Sequence, residues 1–85
     1  MNLNQLYKLA KEGDASSQAG LGTMLHEGKV IPQDFEESLK WLTRAANQNN
    51  HKCQYNVGYM HLRGEGTKEN PEKAFYWLLK AAESG

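Results

Sequence analysis

Sliding the 85-residue chain along itself by 36 positions lays residues 18–49 over residues 54–85 without a gap. Nine of the 32 pairs are identical: Gln18/Gln54, Gly22/Gly58, Met24/Met60, Gly28/Gly64, Glu36/Glu72, Trp41/Trp77, Leu42/Leu78, Ala45/Ala81 and Ala46/Ala82. Average composition would give about two. A repeat of this period belongs to helical solenoids, where each unit buries its apolar face only by stacking on its neighbours. Half of a further copy comes first, with Leu6 over Leu42 and Ala10 over Ala46. Gln5 stands where the tryptophans stand, and a polar side chain suits a terminal element with less to bury outside. The expected organisation is one domain: a half unit over 1–13, a repeat over 14–49 and a repeat over 50–85.

Each full unit reads as two helices. The second is marked by Ser38, Trp41, Leu42 and Ala45, and by Ala74, Trp77, Leu78 and Ala81, at i, i+3, i+4 and i+7. Asp34 followed by Glu37 has the form of a capping box, and Asn70-Pro71 places a cap before proline at the first helical position. The first helix starts after Asp14 or Asn50 and stops near Gly28 or Gly64. Its inward face is Ser17, Leu21, Met24 and Leu25, then Cys53, Val57, Met60 and His61. Five helices are expected, over roughly 2–12, 15–27, 35–48, 51–63 and 71–83. Gly22 and Gly58 sit inside helices, where glycine costs about 1 kcal/mol against alanine. Close approach of a neighbouring helix explains them, with Ala45/Ala46 or Ala81/Ala82 expected as the small facing surface. The tryptophan is expected to fill the gap between the two helices of its unit.

These residues have a family likeness. The run YNVGYMHLRGEGTKENPEKAFYWLLKAAESG resembles a Sel1-like repeat, a longer relative of the tetratricopeptide repeat. The match falls on Val57-Gly58, Gly64, Gly66, Asn70, Ala74, Trp77, Ala81-Ala82 and Gly85. The earlier unit matches at Leu21-Gly22, Gly28, Asp34, Trp41 and Ala45-Ala46. It departs at Val30, where the second loop glycine belongs, and at Ser38, where alanine belongs. The resemblance implies an all-α, right-handed superhelix of antiparallel helix pairs, about two and a half repeats long, serving as an adaptor or binding surface. Relatives of this kind act as scaffolds in signalling, endoplasmic-reticulum protein degradation and bacterial regulation or host contact.

The rest of the sequence narrows the chemistry. Ten basic and ten acidic side chains cancel, so nothing draws the chain to nucleic acid or an anionic membrane. The amino terminus has no continuous apolar stretch, and Cys53 is the only cysteine; a cytoplasmic home is expected. No phosphate loop, nucleophile elbow or zinc-binding helix motif is present, and Asp34, Glu36 and Glu37 suit a helix start. His51, Cys53 and His61 do not make a metal site. Cys53 and His61 are about 12 Å apart along one helix, and His51 and Cys53 point to different sides. The chain is therefore expected to be non-enzymatic, with no catalytic residue, metal or cofactor.

In solenoids of this kind the first helices line the concave face. That places Lys52, Tyr55, Asn56, Tyr59 and Arg63 opposite Ser16, Ala19, Gly20, Thr23 and Glu27, as a shallow trough for a protein or peptide. Alternatively, Tyr55 and Tyr59 pack against adjacent helices. A rival function is binding of a small ligand or cell-wall fragment, as for cysteine-rich relatives; the missing cysteines argue against it. At the carboxyl end, AFYWLL replaces the aligned SLKWLT. Phe75, Leu79 and Ala82 there form an apolar stacking patch, expected to meet further repeats or another copy of the chain.

Overall fold

Five asparagine or aspartate side chains open the five helices. In the computed structural model, which describes residues 1–84, these are α1 (Leu3–Lys11), α2 (Ala15–Glu27), α3 (Phe35–Ala46), α4 (His51–Arg63) and α5 (Pro71–Ser84). Asp14, Asp34, Asn50 and Asn70 each accept the backbone N–H three residues on. The two linkers inside the hairpins close alike: Asp34 N–H donates to Leu25 O at 2.9 Å, and Asn70 N–H to His61 O at 2.8 Å. Among the described residues there is no strand, and the principal contacts join helices consecutive in sequence. Gly85, matched to the family's closing glycine, lies outside the described residues.

The complete capping box is on α1, where Asn2 and Gln5 exchange bonds of 2.9 Å. Gln5 is thus a capping residue, beyond standing in for tryptophan. At α3 only half of the expected box forms. Asp34 accepts from Glu37 N–H, but the Glu37 carboxylate turns to Tyr7 Oη at 3.1 Å and Trp41 Nε1 at 3.3 Å. Helix α3 also stops at Ala46, short of the expected 48. Asn49, in the place of Gly13, adopts a left-handed φ of 69°, which asparagine tolerates better than most residues.

Two core clusters fill the stack. Ala10, Leu21, Leu25 and Trp41 form one, backed by Leu6, Tyr7 and Ile31. Leu42, Ala45, Ala46, Cys53, Val57, Met60 and Trp77 form the other, backed by Ala19, Phe35 and Leu39. Each tryptophan therefore points back to the preceding element, between that element's second helix and its own first helix, instead of simply joining the two helices of its unit. Ala45 and Ala46 bury against the following unit, as expected. Met24 is only half-buried, unlike the rest of its expected inward face.

The glycine contact differs from expectation. A Cβ on Gly22 would lie 2.6 Å from Leu42 Cγ, and one on Gly58 2.7 Å from Leu78 Cγ. Leucine, not the alanine pair, occupies the space. Ser38, where the family pattern has alanine, is fully buried and donates to Gly22 O at 2.7 Å. The hydroxyl is satisfied at no loss of packing.

The identical glutamines are buried ties between units. Gln18 Nε2 donates to Ala10 O at 3.0 Å, and Gln54 Nε2 to Ala46 O at 3.2 Å. Gln18 also accepts from Gln48 Nε2 at 3.0 Å. Gln54 Oε1 finds no such donor among the described residues, because the shorter Ser84 stands in Gln48's place.

Candidate functional site

Gly20 and Gly58 show how differently the two sides of the first helices are used. Gly58 is buried under Leu78, whereas a Cβ on Gly20 would meet nothing within 4 Å. On that open side a groove of about 320 Å³ runs between α2 and α4. Leu42 and Met60 form its apolar floor. Thr23, His26 and Glu27 line one wall, and Asn56, Tyr59 and Arg63 the other. Glu65 closes one end, its Oε1 3.0 Å from His26 Nε2.

The walls are partly organised. Arg63 lies 5.1 Å from the Tyr59 ring centre, and Tyr55 runs nearly parallel to Tyr59 at 6.1 Å and 14°. That is i, i+4 stacking on an exposed helical face. Tyr59 stays 39% exposed and Tyr55 44%, so neither is used up in packing against adjacent helices. His26–Glu65 is the one close contact between a basic and an acidic side chain among the described residues, which leaves the Arg63 guanidinium with the Tyr59 face. The groove offers an apolar floor, one amide, one guanidinium and one free carboxylate at Glu27.

Of the residues expected on this face, Asn56, Tyr59, Arg63, Thr23 and Glu27 come together as groove lining. Lys52 and Tyr55 are exposed on α4 but outside the lining. Sequence reasoning missed His26, Glu65, Leu42 and Met60. His26 is three residues after Thr23 and was readable from helical spacing. Glu65 sits in a loop, where periodicity carries no information. Its orientation follows the left-handed turn at Gly64, φ 74°.

Cys53 and His61 are both buried elsewhere in the packing. Burial pushes the Cys53 thiol up to about 11, so it carries no thiolate near neutrality. Among the described residues no three His, Cys, Asp or Glu side chains are grouped to hold a metal ion.

His61 stands where the first unit has Leu25, and its Nδ1 is buried without a partner. Burial first, and then the Lys73 ammonium, lower its pKa from the usual 6.5. The unfolded chain therefore takes up a proton that the folded chain resists. The stability contributed by neutral His61 is complete above about pH 6.5 and is lost as pH falls through its lowered folded value. His61→Leu should flatten this limb, seen as a smaller drop in urea midpoint between about pH 7.5 and about pH 5. An unchanged drop in the variant would show that other groups set the acid limb. Asp14 acts lower still, since its carboxyl is held below 3.8 by the bonds from Ser17.

Helical hairpins stacked on a 36-residue period, with an open groove between successive first helices, define a helical-repeat solenoid. The Sel1 repeat profile matches residues 15–50 and 51–85, and the chain belongs to the Sel1 repeat family. It is 34% identical over 82 residues to chitin synthase regulatory factor 3 of Schizosaccharomyces pombe, covering 93% of this chain and 9% of that protein. It is 31% identical over 84 residues to a chitin synthase regulator of Saccharomyces cerevisiae, covering 96% and 12%. The chain thus spans about a tenth of the length of these relatives. The crystal structure of a Sel1 repeat protein from Oxalobacter formigenes superposes with a TM-score of 0.94 at 37% identity, covering 98% of this chain and 24% of that one. Among the described residues no helix is long and apolar enough to cross a membrane.

Proposed function

We propose that the chain is a non-enzymatic adaptor that takes a segment of a protein partner in the groove between α2 and α4. The observation that carries this reading is the lining itself. An apolar floor of Leu42 and Met60 lies under a rim of Tyr59, Asn56 and Arg63 that intramolecular packing leaves exposed. Tyrosine and arginine around a desolvated floor are the usual anchors of protein contacts. The relatives named as regulators of chitin synthase support a regulatory adaptor in general terms. A net charge of zero supports a protein partner over nucleic acid or a membrane surface, and a single free thiol suits a cytoplasmic setting.

The test is capture from the source cell with immobilised chain, comparing wild type with Tyr59→Ala/Arg63→Ala and with Lys52→Ala. Loss of a specific captured protein is expected for the double variant only, with helical circular dichroism unchanged. The loss should be about 10-fold or more in affinity, the usual size for removing two anchors. Capture unchanged by the double variant would move the partner surface off this groove.

A further inference from the structure

The two walls of the groove carry opposite charges at one level of the repeat. Glu27 and Arg63 stand 36 positions apart and are the last residues of α2 and α4. Both line the groove and both are exposed. They do not pair with each other, and among the described residues neither has an oppositely charged side chain within ion-pair distance. Glu65 is already engaged, since His26 holds it at 3.0 Å while the His26 ring lies 5.0 Å from that of Phe35. Arg63 rests on the Tyr59 ring. Unpaired charges of opposite sign, held apart by a cleft, make a complementary field for a ligand that carries both signs.

Helical spacing fixes how those signs must be arranged. One turn before Glu27 and Arg63 stand Thr23 and Tyr59, again equivalent positions and again one on each wall. Four residues of helix rise about 6 Å. Two residues of an extended chain rise about 6.6 Å, and their neighbours point to the opposite side. An extended segment laid along the groove therefore keeps step with both walls, its side chains facing α4 and α2 in turn.

We propose, resting on the groove as the partner surface, that it selects an extended segment in which an acidic residue facing Arg63 adjoins a basic residue facing Glu27. Two positions from the acidic residue, on the side away from the basic one, an apolar side chain lies against Tyr59 above Leu42 and Met60. The order apolar, small, acidic, basic satisfies both walls in either chain direction. The transposed order apolar, small, basic, acidic sets like charge against like on both.

Fluorescence anisotropy with labelled peptides, blocked at both ends, tests this on the 85-residue chain. The matched probes are Ser-Leu-Ser-Glu-Lys-Ser and its reverse, and the transposed probes are Ser-Leu-Ser-Lys-Glu-Ser and its reverse. The better matched probe should bind roughly 10-fold tighter than either transposed one, through two attractive contacts in place of two repulsive ones. Added salt should shrink that advantage. Glu27→Lys/Arg63→Glu should reverse the preference. Glu27→Gln should narrow it, and serves if the swapped chain loses helicity. Equal binding of all probes, binding of none, or a preference that survives the charge swap would overturn the proposal. Displacement of the matched probe by free glutamate and lysine would also overturn it, and would mark a small-ligand site. The groove reading fails separately, when capture from the source cell is unchanged by Tyr59→Ala/Arg63→Ala.

Discussion

Trp41→Ala should lower the free energy of unfolding by about 3–5 kcal/mol, and Trp77→Ala by nearly as much. Trp41 is 2% exposed and Trp77 8%. Trp41, on α3, packs with two other helices at once, through Ala10 of α1 and Leu21 and Leu25 of α2. Tyr7 meets its ring edge-on at 6.3 Å, and Arg44 and Lys40 lie 5.0 Å and 5.5 Å from its centre. Removing the indole opens a cavity in the cluster that binds α1 to the rest. The buried dispersion contacts dominate the loss. The bond to Glu37 is long and partly exposed, and adds about 1 kcal/mol at most. Trp41→Phe should therefore recover most of the lost stability. Stability in a solenoid is carried by neighbour contacts, so Trp41→Ala should also free the α1 amides for hydrogen exchange before those of α4. Urea melts giving a loss below about 1 kcal/mol for both alanine variants would refute the packing.

The repeat made the helices legible because the same signals occur twice at fixed spacing. Asn or Asp caps, left-handed glycines and the apolar stripe all agree at 14/50, 28/64 and 34/70, and consistency between levels is what makes a local signal trustworthy. What the sequence hid was direction. Trp41 and Leu42 are adjacent on one apolar stripe, but Trp41 serves the cluster behind it and Leu42 the cluster ahead. A hydrophobic period reports that a face is buried, not against what. The glycines were misassigned for the same reason, since a close approach was legible at Gly22 but the leucine filling it was not. In the groove, Asn56, Tyr59 and Arg63 followed from i, i+3 and i+7 spacing. Glu65 depends on how a loop folds back, and Leu42 reaches the floor from a different helix. Neither is encoded in the period of α4.

Gly66→Ala should cost about 2–4 kcal/mol, through overpacking and backbone strain together. Its φ is 77°, a conformation that residues with a Cβ rarely adopt. Its Cβ would also fall 2.4 Å from Phe35 O and 2.7 Å from Phe35 C. The obstacle is backbone at the start of α3, which cannot swing aside as a side chain would. Either the loop or the helix start must move. Val30 occupies the same repeat position in the first unit and supplies the control. It is 75% exposed and has no left-handed φ, and no backbone contact like that of Gly66 with Phe35 is seen there. Val30→Gly and Val30→Ala should therefore stay within about 0.5 kcal/mol of wild type. The family's second loop glycine is on this account a stacking residue, required where the start of the preceding second helix lies against the loop, as Phe35 does at Gly66. If the loop yields in Gly66→Ala, Glu65 next to it should move away from His26, breaking the 3.0 Å contact that closes the groove. The His26 ring resonances would then shift together with the drop in urea midpoint. Equal costs at positions 30 and 66 would mean that the loop, and not the contact with Phe35, sets the requirement for glycine.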